Sequence, residues 1–593
     1  MSSNGDNGVL ADVTNKVSDS DIKMENQQRV RDASWVEPQK FDYNTYNAGP
    51  KEQRSTVAAV GTEEAAGTEE DSVPTWAANA TKYEWEDDYG EIGPKYDILE
   101  RQLFGNSTQT EKGSHFSTLT EISVTFESET MIKPISRFED AGLHPAMLEN
   151  VKLCRYDVPT PIQAYVLPSV FKNIDIIGVA QTGSGKTAAF LIPTLSKLMG
   201  KAKKLAAPRP FLGRGRTWTR NDAVRGEPLV LVVTPTRELA IQIFTEACRL
   251  CYRTMLRPCV AYGGAPASDQ MDEIQKGCDI LIATPGRLQD FMQRPNLLSM
   301  NRVRFTIIDE ADEMVSPDWI DDMRGILGGD NNDDSDHVYM MFSATFPKAA
   351  RAMAKEYMSK DHIRIRVGRA GSTHLNIIFV SEAAKRQCLF DLLLSMPPAR
   401  TIVFVNNKKA ADFLDDYLFN NGLPSTSIHS DRTQREREDA LRAFKTGKAP
   451  ILVATGVSAR GLDIKNVMHV INFDLPNTTY GGIDEYVHRI GRTARIGNTG
   501  VATSFYNERN EDIAESLTKL LLETRQEVPE FLENYKPAEG EQLQFDDDTD
   551  EEGEEAGAGG GWGGGGETNG ADAAMGDAWD GGAATSADDD AWH

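Results

Sequence analysis

The middle of the chain is punctuated by short apolar runs at residues 174–179, 229–233, 280–283, 305–308 and 338–342, separated by longer stretches in which apolar residues recur at helical spacing. Runs of four to six residues that are predominantly apolar, rather than alternating with polar ones, predict strands buried on both faces. Helices must then cross over between them, which makes the strands parallel. Each run ends at a group of Gly, Thr, Ser or Asp, and ligands of such sheets gather at the carboxyl ends of the strands. After a polar, Gly-containing stretch at 368–373 the pattern restarts, with runs at 401–405, 451–454 and 467–471. The expected fold is therefore α/β, with two tandem parallel-sheet lobes.

Composition separates the ends from this core. Residues 1–133 carry 12 Lys and Arg against 25 Asp and Glu, and residues 537–593 carry none against 17. With a net charge of −27 for the whole chain, the core between them is left at about +3. A core that meets a polyanion is thus compatible with an acidic chain. We expect a mostly disordered acidic extension over 1–133, a first lobe over 134–368, a hinge over 369–373, a second lobe over 374–536, and a disordered acidic, Gly-rich tail over 537–593. Aromatic residues set among acids, such as Trp35, Tyr43, Trp76 and Trp85 before the core and Trp562, Trp579 and Trp592 after it, suit folding onto protein partners; a plain solvated linker is the alternative. Cys248 and Cys251 form a CxxC, but they follow Leu239, Ile243 and Phe244 at helical spacing and no second pair completes a site, so no structural zinc is expected. No run is long enough for a membrane span.

Chemistry concentrates at two strand ends. Gln181, Thr182, Gly183, Ser184, Gly185, Lys186 and Thr187 follow the first run. The glycines let backbone amides approach phosphate oxygens, Lys186 reaches the β- and γ-phosphates, and the Thr187 hydroxyl suits Mg²⁺. The fourth run delivers Asp309-Glu310-Ala311-Asp312. Asp309 can hold Mg²⁺ through water, and Glu310 can orient and deprotonate the water that attacks the γ-phosphate. ATP and Mg²⁺ are the implied cofactors. Two lobes with one phosphate loop imply completion from the second lobe, for which Arg492 and Arg495 are the candidate arginine fingers. Gln163 carries an amide able to pair with the N6/N7 edge of adenine.

In chain order, the segment 156–163, the phosphate loop, Pro235-Thr236-Arg237-Glu238-Leu239-Ala240, Gly263-Gly264, Thr284-Pro285-Gly286-Arg287, Asp309-Glu310-Ala311-Asp312, Ser343-Ala344-Thr345 and 488–495 resemble the ordered motifs of a DEAD-box RNA helicase. The stretch 431–441 resembles the Vasa-like subgroup, which includes the helicase of translation initiation. The resemblance covers roughly 134–537 and implies two RecA-like lobes and an RNA-stimulated ATPase that separates short duplexes or remodels RNA–protein complexes. It adds Tyr156 as a face for the adenine with Phe138 as its support, Asp463 at the ribose, and Asp312, Ser343, Thr345, His488 and Arg489 as coupling residues. It also implies a cytoplasmic site of action, or a nuclear one, and a monomeric core. Ala494 and Arg155 stand where the family usually has Gly.

Pro235, Thr236, Arg237, Gly263, Gly264, Thr284, Pro285, Gly286 and Arg287 combine close backbone approach, hydroxyls and positive charge with no side chain placed to read a base. They suit a sugar-phosphate backbone of any sequence. By resemblance, Gln434, Arg437 and Thr455 continue the track on the second lobe. A basic loop with Lys201, Lys203, Lys204, Arg209, Arg214, Arg216, Arg220, Arg225 and Trp218 either extends this footprint or is a solvated loop. The alternatives to a helicase in translation are an ATP-gated RNA clamp or scaffold, or a helicase of ribosome biogenesis or splicing.

Overall fold

A computed structural model describes residues 19–38, 92–105, 124–128, 130–200, 207–210, 218–315, 319–327, 337–367, 373–456, 464, 466–493, 500–524 and 526–537. In the first lobe the strands are β1 (Val124–Glu127), β2 (Ile176–Val179), β3 (Val230–Val233), β4 (Pro258–Ala261), β5 (Ile280–Ala283), β6 (Phe305–Asp309), β7 (Val338–Ser343) and β8 (Ile363–Val367). They form one sheet in the order β1-β8-β2-β7-β6-β3-β5-β4, parallel throughout except for β1 against β8. The second lobe contributes β9 (Thr373–Phe379), β10 (Thr401–Val405), β11 (Ser425–Ile428), β12 (Ile451–Thr455), β13 (His469–Asn472) and β14 (Gly500–Tyr506). These give a parallel sheet in the order β11-β12-β10-β13-β14-β9. The chain is thus two parallel-sheet α/β lobes.

The uniformly apolar runs are explained by burial on both sheet faces. Along β3, Val230 and Val232 enter one core cluster while Leu231 and Val233 enter another. In the second lobe, Ile402 and Phe404 of β10 face one cluster and Val403 and Val405 the other. By contrast, β8 alternates Ile and Arg, with Arg364 and Arg366 only half-buried, because it lies next to the antiparallel edge strand. A search for unbroken apolar runs passes over such a strand.

Three pieces of the N-terminal extension pack on the lobes. Strand β1 extends the first sheet. The helix Asp97–Phe104 rests on the first lobe, where Tyr252 donates to Glu100 at 3.0 Å and Arg249 Nε donates to the Leu103 carbonyl at 2.7 Å. The helix Asp19–Asp32, with Trp35 just beyond it, sits on the second lobe, where Val30 and Trp35 are buried in the core cluster. A few apolar side chains meeting a prepared surface suffice to order these pieces of an otherwise acidic, polar extension.

Cys248 and Cys251 lie in and just after the helix Arg237–Leu250, and burial pushes both thiols up. Among the described residues no group of three His, Cys, Asp or Glu side chains is placed to hold a metal, and no helix is long and apolar enough to cross a membrane.

Candidate active site and nucleic-acid interface

Strand β2 ends at Val179, and the chain turns through Gly183 and Gly185, whose φ values are +78° and +88°. Glycine occupies this left-handed region without the steric penalty of a Cβ. Gly185 then caps the helix Lys186–Met199, so the first-turn N–H groups and the positive helix end face the loop. Lys186 is buried and its Nζ folds back on the loop, donating to the Ala180 carbonyl at 2.5 Å and the Gln181 carbonyl at 3.4 Å. Burial draws its pKa down against the pull of Asp309, Asp312 and Glu310.

Gln163 joins this loop to the helix Pro161–Phe171. Its Oε1 accepts from the Thr160 N–H at 3.0 Å, and its Nε2 donates to the Gly185 carbonyl at 3.1 Å. A Cβ on Gly185 would stand 2.6 Å from that Nε2, so the loop glycine is required by the approach of the amide as well as by its φ. One hydrogen and one lone pair of the amide remain for a base edge. Tyr156 donates to Glu246, and Phe138 is buried in the first-lobe core.

The acidic strand end lies beside this loop. Asp309 closes β6 and is 3% exposed; burial, helped by Glu310 and opposed by Lys186, pushes its carboxyl up to about 7. Glu310 is held at φ +56°, an uncommon conformation for a residue with a Cβ. Its Oε2 and the Ser184 Oγ are buried without a hydrogen-bond partner among the described residues. Such orphaned atoms are costly in a finished interior and fit a site that a ligand completes. A buried carboxylate whose charge is disfavoured, with the Thr187 hydroxyl beside Lys186, is a hard-oxygen donor set that fits Mg²⁺.

The second lobe reaches this site. Arg492 NH2 stands 3.8 Å from Glu310 Oε1, both side chains being buried, while Arg492 Nε donates to the His488 carbonyl at 3.0 Å. His488 Nε2 lies 2.8 Å from Asp312 Oδ2, which also accepts from Thr345 Oγ1 at 2.7 Å. Burial opposes the charge on Asp312, but the imidazole and hydroxyl outweigh it and hold the carboxyl well below the usual range. Thr182 Oγ1 donates to the Gly491 carbonyl at 2.7 Å, and a Cβ on Gly491 would come within 2.1 Å of that hydroxyl. Ser343 ends β7, where its carbonyl accepts from the Ala180 N–H at 2.9 Å and so ties that strand to the phosphate loop.

Arg489 points inward instead. It bonds Glu485, the Asp474 carbonyl and Asn406 at 2.8–3.0 Å, and Gly456 leaves the space that Glu485 and Arg489 fill.

Around the rim, the candidate polyanion contacts converge. Arg237 packs against Gly263 and Gly264, where a Cβ on Gly264 would stand 2.3 Å from its NH1. It also reaches across to Gln434 Oε1 at 3.2 Å. Arg437 pairs with Glu238 at 2.7 Å, lobe to lobe. Burial, then the neighbouring Arg437 and Arg287, lower the Arg237 pKa, so three cations crowd one edge. Thr236 and Thr284 cap the helices Arg237–Leu250 and Pro285–Met292; Pro285 and the exposed Gly286 open the second of these. Arg287 donates to Gln270 Oε1 at 3.1 Å and the Ala265 carbonyl at 3.3 Å, bracing the glycine turn from below. Thr455 ends β12 on the second lobe.

A family model described as DEAD/DEAH box helicase matches residues 160–353, and one described as Helicase conserved C-terminal domain matches 384–497. The chain is 31% identical to a DEAD box protein from the hyperthermophile Methanococcus jannaschii, covering 66% of this chain and 98% of that one, with a TM-score of 0.39. It is 30% identical to the RNA-helicase Prp28 from Chaetomium thermophilum bound to ADP, covering 72% and 99%, with a TM-score of 0.36. The chain belongs to the DEAD-box helicase family. It is an ATP-dependent RNA helicase and ATPase. S. cerevisiae Dbp5 bound to RNA and ADP BeF3 is 26% identical to this helicase, covering 66% of this chain and 95% of that one, with a TM-score of 0.55.

Several expected positions fall outside the described residues: Asp463, Ala494, Arg495, hinge residues 369–372, Lys201, Lys203, Lys204, Arg214, Arg216, the tail beyond Pro537 and the aromatic residues between 41 and 91. In the described part of the basic loop, the arginines have carboxylate partners. Arg209 pairs with Asp279, Arg220 with Asp272 at 2.9 Å and Arg225 with Glu227, while Lys276 lies over the Trp218 ring. Asp279 precedes β5, at the opposite end of that strand from Thr284, about 17 Å away along the strand. A charge count along the sequence does not reveal these pairings.

Sequence reasoning assigned no role to Glu238, Gln270, Asp474 or Asn406. Glu238 lies within the segment 235–240, but its partner Arg437 lies in the other lobe. Gln270 has no sequence signal, because its two bonds with Tyr262 and its contact with Arg287 arise only when separate loops meet.

Proposed function

We propose that this helicase closes its lobes only around ATP and RNA together, each ligand raising the affinity for the other. The observation that carries this reading is the pair of contacts Arg492–Glu310 and His488–Asp312, which tie second-lobe side chains to the acidic strand end of the first. Gln163 and Tyr156 select adenine, Asp463 meets the ribose, and the loop from Gln181 to Thr187 cradles the phosphates. Glu310 orients the attacking water and takes its proton. Arg492, with Arg495, places positive charge where the transferring phosphoryl group becomes more negative. Thr187, and Asp309 through water, would hold Mg²⁺, which when bound neutralises phosphate charge.

On the rim, amides around Gly263, Gly264 and Gly286 and the Arg237, Arg287, Arg437 cluster take the RNA backbone without reading sequence. Thr236, Thr284, Gln434 and Thr455 add hydrogen bonds along the same track. Closure bends the held strand out of a duplex, and hydrolysis releases it. Asp312, Ser343, Thr345, His488 and Arg489 transmit the state of one site to the other.

Within the family, the stretch 431–441 supports a role in cytoplasmic translation initiation. Crosslinking RNAs to a Glu310→Gln form in cells tests it: recovery of mRNA 5′ regions is expected, and recovery of intronic or pre-ribosomal RNA instead overturns the pathway.

A further inference from the structure

The outer face of the second lobe carries a contact that neither ATP hydrolysis nor RNA binding uses. Val30 and Trp35 are 3% and 6% exposed there, packed in one cluster with Leu389, Phe390, Leu414 and Leu423. Polar contacts fix the register. Buried Asn26 donates to buried Asn421 at 2.8 Å, and Gln27 donates to the Asn420 carbonyl at 3.3 Å. Arg29 pairs with Asp391 at 2.7 Å and lies over the Phe390 ring. Gly422, at φ +95°, leaves the space in which a Cβ would stand 3.3 Å from Gln27 and 3.7 Å from Val30. A buried side-chain amide pair, a charge pair and two apolar anchors together recognise a pattern rather than grease alone.

The docked piece is also a poor helix by itself. The 14 residues Asp19–Asp32 are mostly polar, and an isolated helix of that length is marginal in water. It gains its order by docking, as segments that fold on binding do, and such contacts exchange readily.

We propose that the groove between the helices Lys385–Ser395 and Lys408–Asn420 is a docking site for a short helix of pattern Asn-x-x-Arg-Val followed five residues later by Trp, filled in cis by Asn26–Trp35. A partner protein presenting that pattern gains the site only by displacing the chain's own segment. The N-terminal extension thereby sets a threshold for recruitment on the core cluster across the sheet from the helix that carries His488.

The test uses the full-length chain carrying Val30→Asp and Trp35→Ala, which vacates the groove, and a fluorescein-labelled peptide of residues 19–38 read by anisotropy. Saturable binding to the vacated chain is expected, at least tenfold tighter than to the unsubstituted chain. Asp391→Arg in the vacated chain should weaken it, and Arg29→Asp in the peptide should restore it. Equal binding to vacated and unsubstituted chains, or none to a vacated chain that keeps its RNA-stimulated ATPase, overturns the proposal. Should the double variant fail to fold, amide exchange in the unsubstituted chain decides: slow exchange across 26–35 is expected, and exchange at the unfolded-peptide rate contradicts it.

Discussion

His488 Nε2 lies 2.8 Å from Asp312 Oδ2, so a side chain of the second lobe completes the hydrogen bonding of the first lobe's acidic strand end. Thr345 contributes the other contact to the same oxygen. Because the bond exists only when the lobes meet, its loss should act on coupling rather than on folding. His488→Ala is expected to lower RNA-stimulated hydrolysis by about tenfold or more while the RNA-independent rate changes little, consistent with a coupling free energy of about 1–3 kcal/mol. Equal loss of both rates would argue against it.

Gly264 is the tightest point of the rim. Its φ is +85°, and a Cβ would collide with Arg237 NH1. Gly264→Ala should displace the guanidinium and weaken RNA binding at least tenfold, with ATP affinity in the absence of RNA unchanged. Fluorescence anisotropy with a short single-stranded RNA reads the first, and nucleotide titration the second.

The buried carboxyl of Asp309 gives the ligand-free helicase a pH signature. Its folded pKa, pushed up to about 7, exceeds its ordinary value of 3.8, so the folded state binds more protons between these limits. The contribution of Asp309 to stability therefore falls as pH rises from about 4 to 7, because the unfolded carboxyl ionises first. Buried His469, drawn down to about 4, acts in the opposite direction over part of that window, so the comparison that isolates Asp309 is thermal melting of the unsubstituted chain against Asp309→Asn without nucleotide. The advantage of the unsubstituted chain over Asp309→Asn should shrink as pH rises from about 4 to 7, and an advantage that is constant or grows over that window would contradict the assignment.

Arg437 and Glu238 form an ion pair between lobes in which both side chains are largely buried. Removing one partner of such a pair leaves an uncompensated charge, which typically costs about 3–5 kcal/mol in the state where it is buried. Only the closed state buries it. Glu238→Gln should shift the chain toward open forms in small-angle scattering, and Glu238→Gln with Arg437→Met should recover part of the closure.

Much of this was legible in the chain because the core strands are buried on both faces and end at their chemistry. The run 305–308 alone announces β6, Asp309 and Glu310. What remained hidden depends on distant partners. The sequence does not show that Arg237 and Arg287 brace the Gly263–Gly264 turn, nor that Arg209, Arg220 and Arg225 of the basic loop have carboxylate partners. Val30 and Trp35 carried too little apolar character to predict a docked helix, because the surface that orders them is built several hundred residues later.

The most direct measurement is steady-state ATP hydrolysis by Arg492→Ala, with and without RNA, beside a binding assay for a fluorescent ATP analogue. The geometry across the cleft predicts that RNA-stimulated turnover falls by about 10³-fold or more while nucleotide binding and melting temperature hold nearly constant. RNA-stimulated hydrolysis at the wild-type rate by that variant would contradict a site completed from the second lobe.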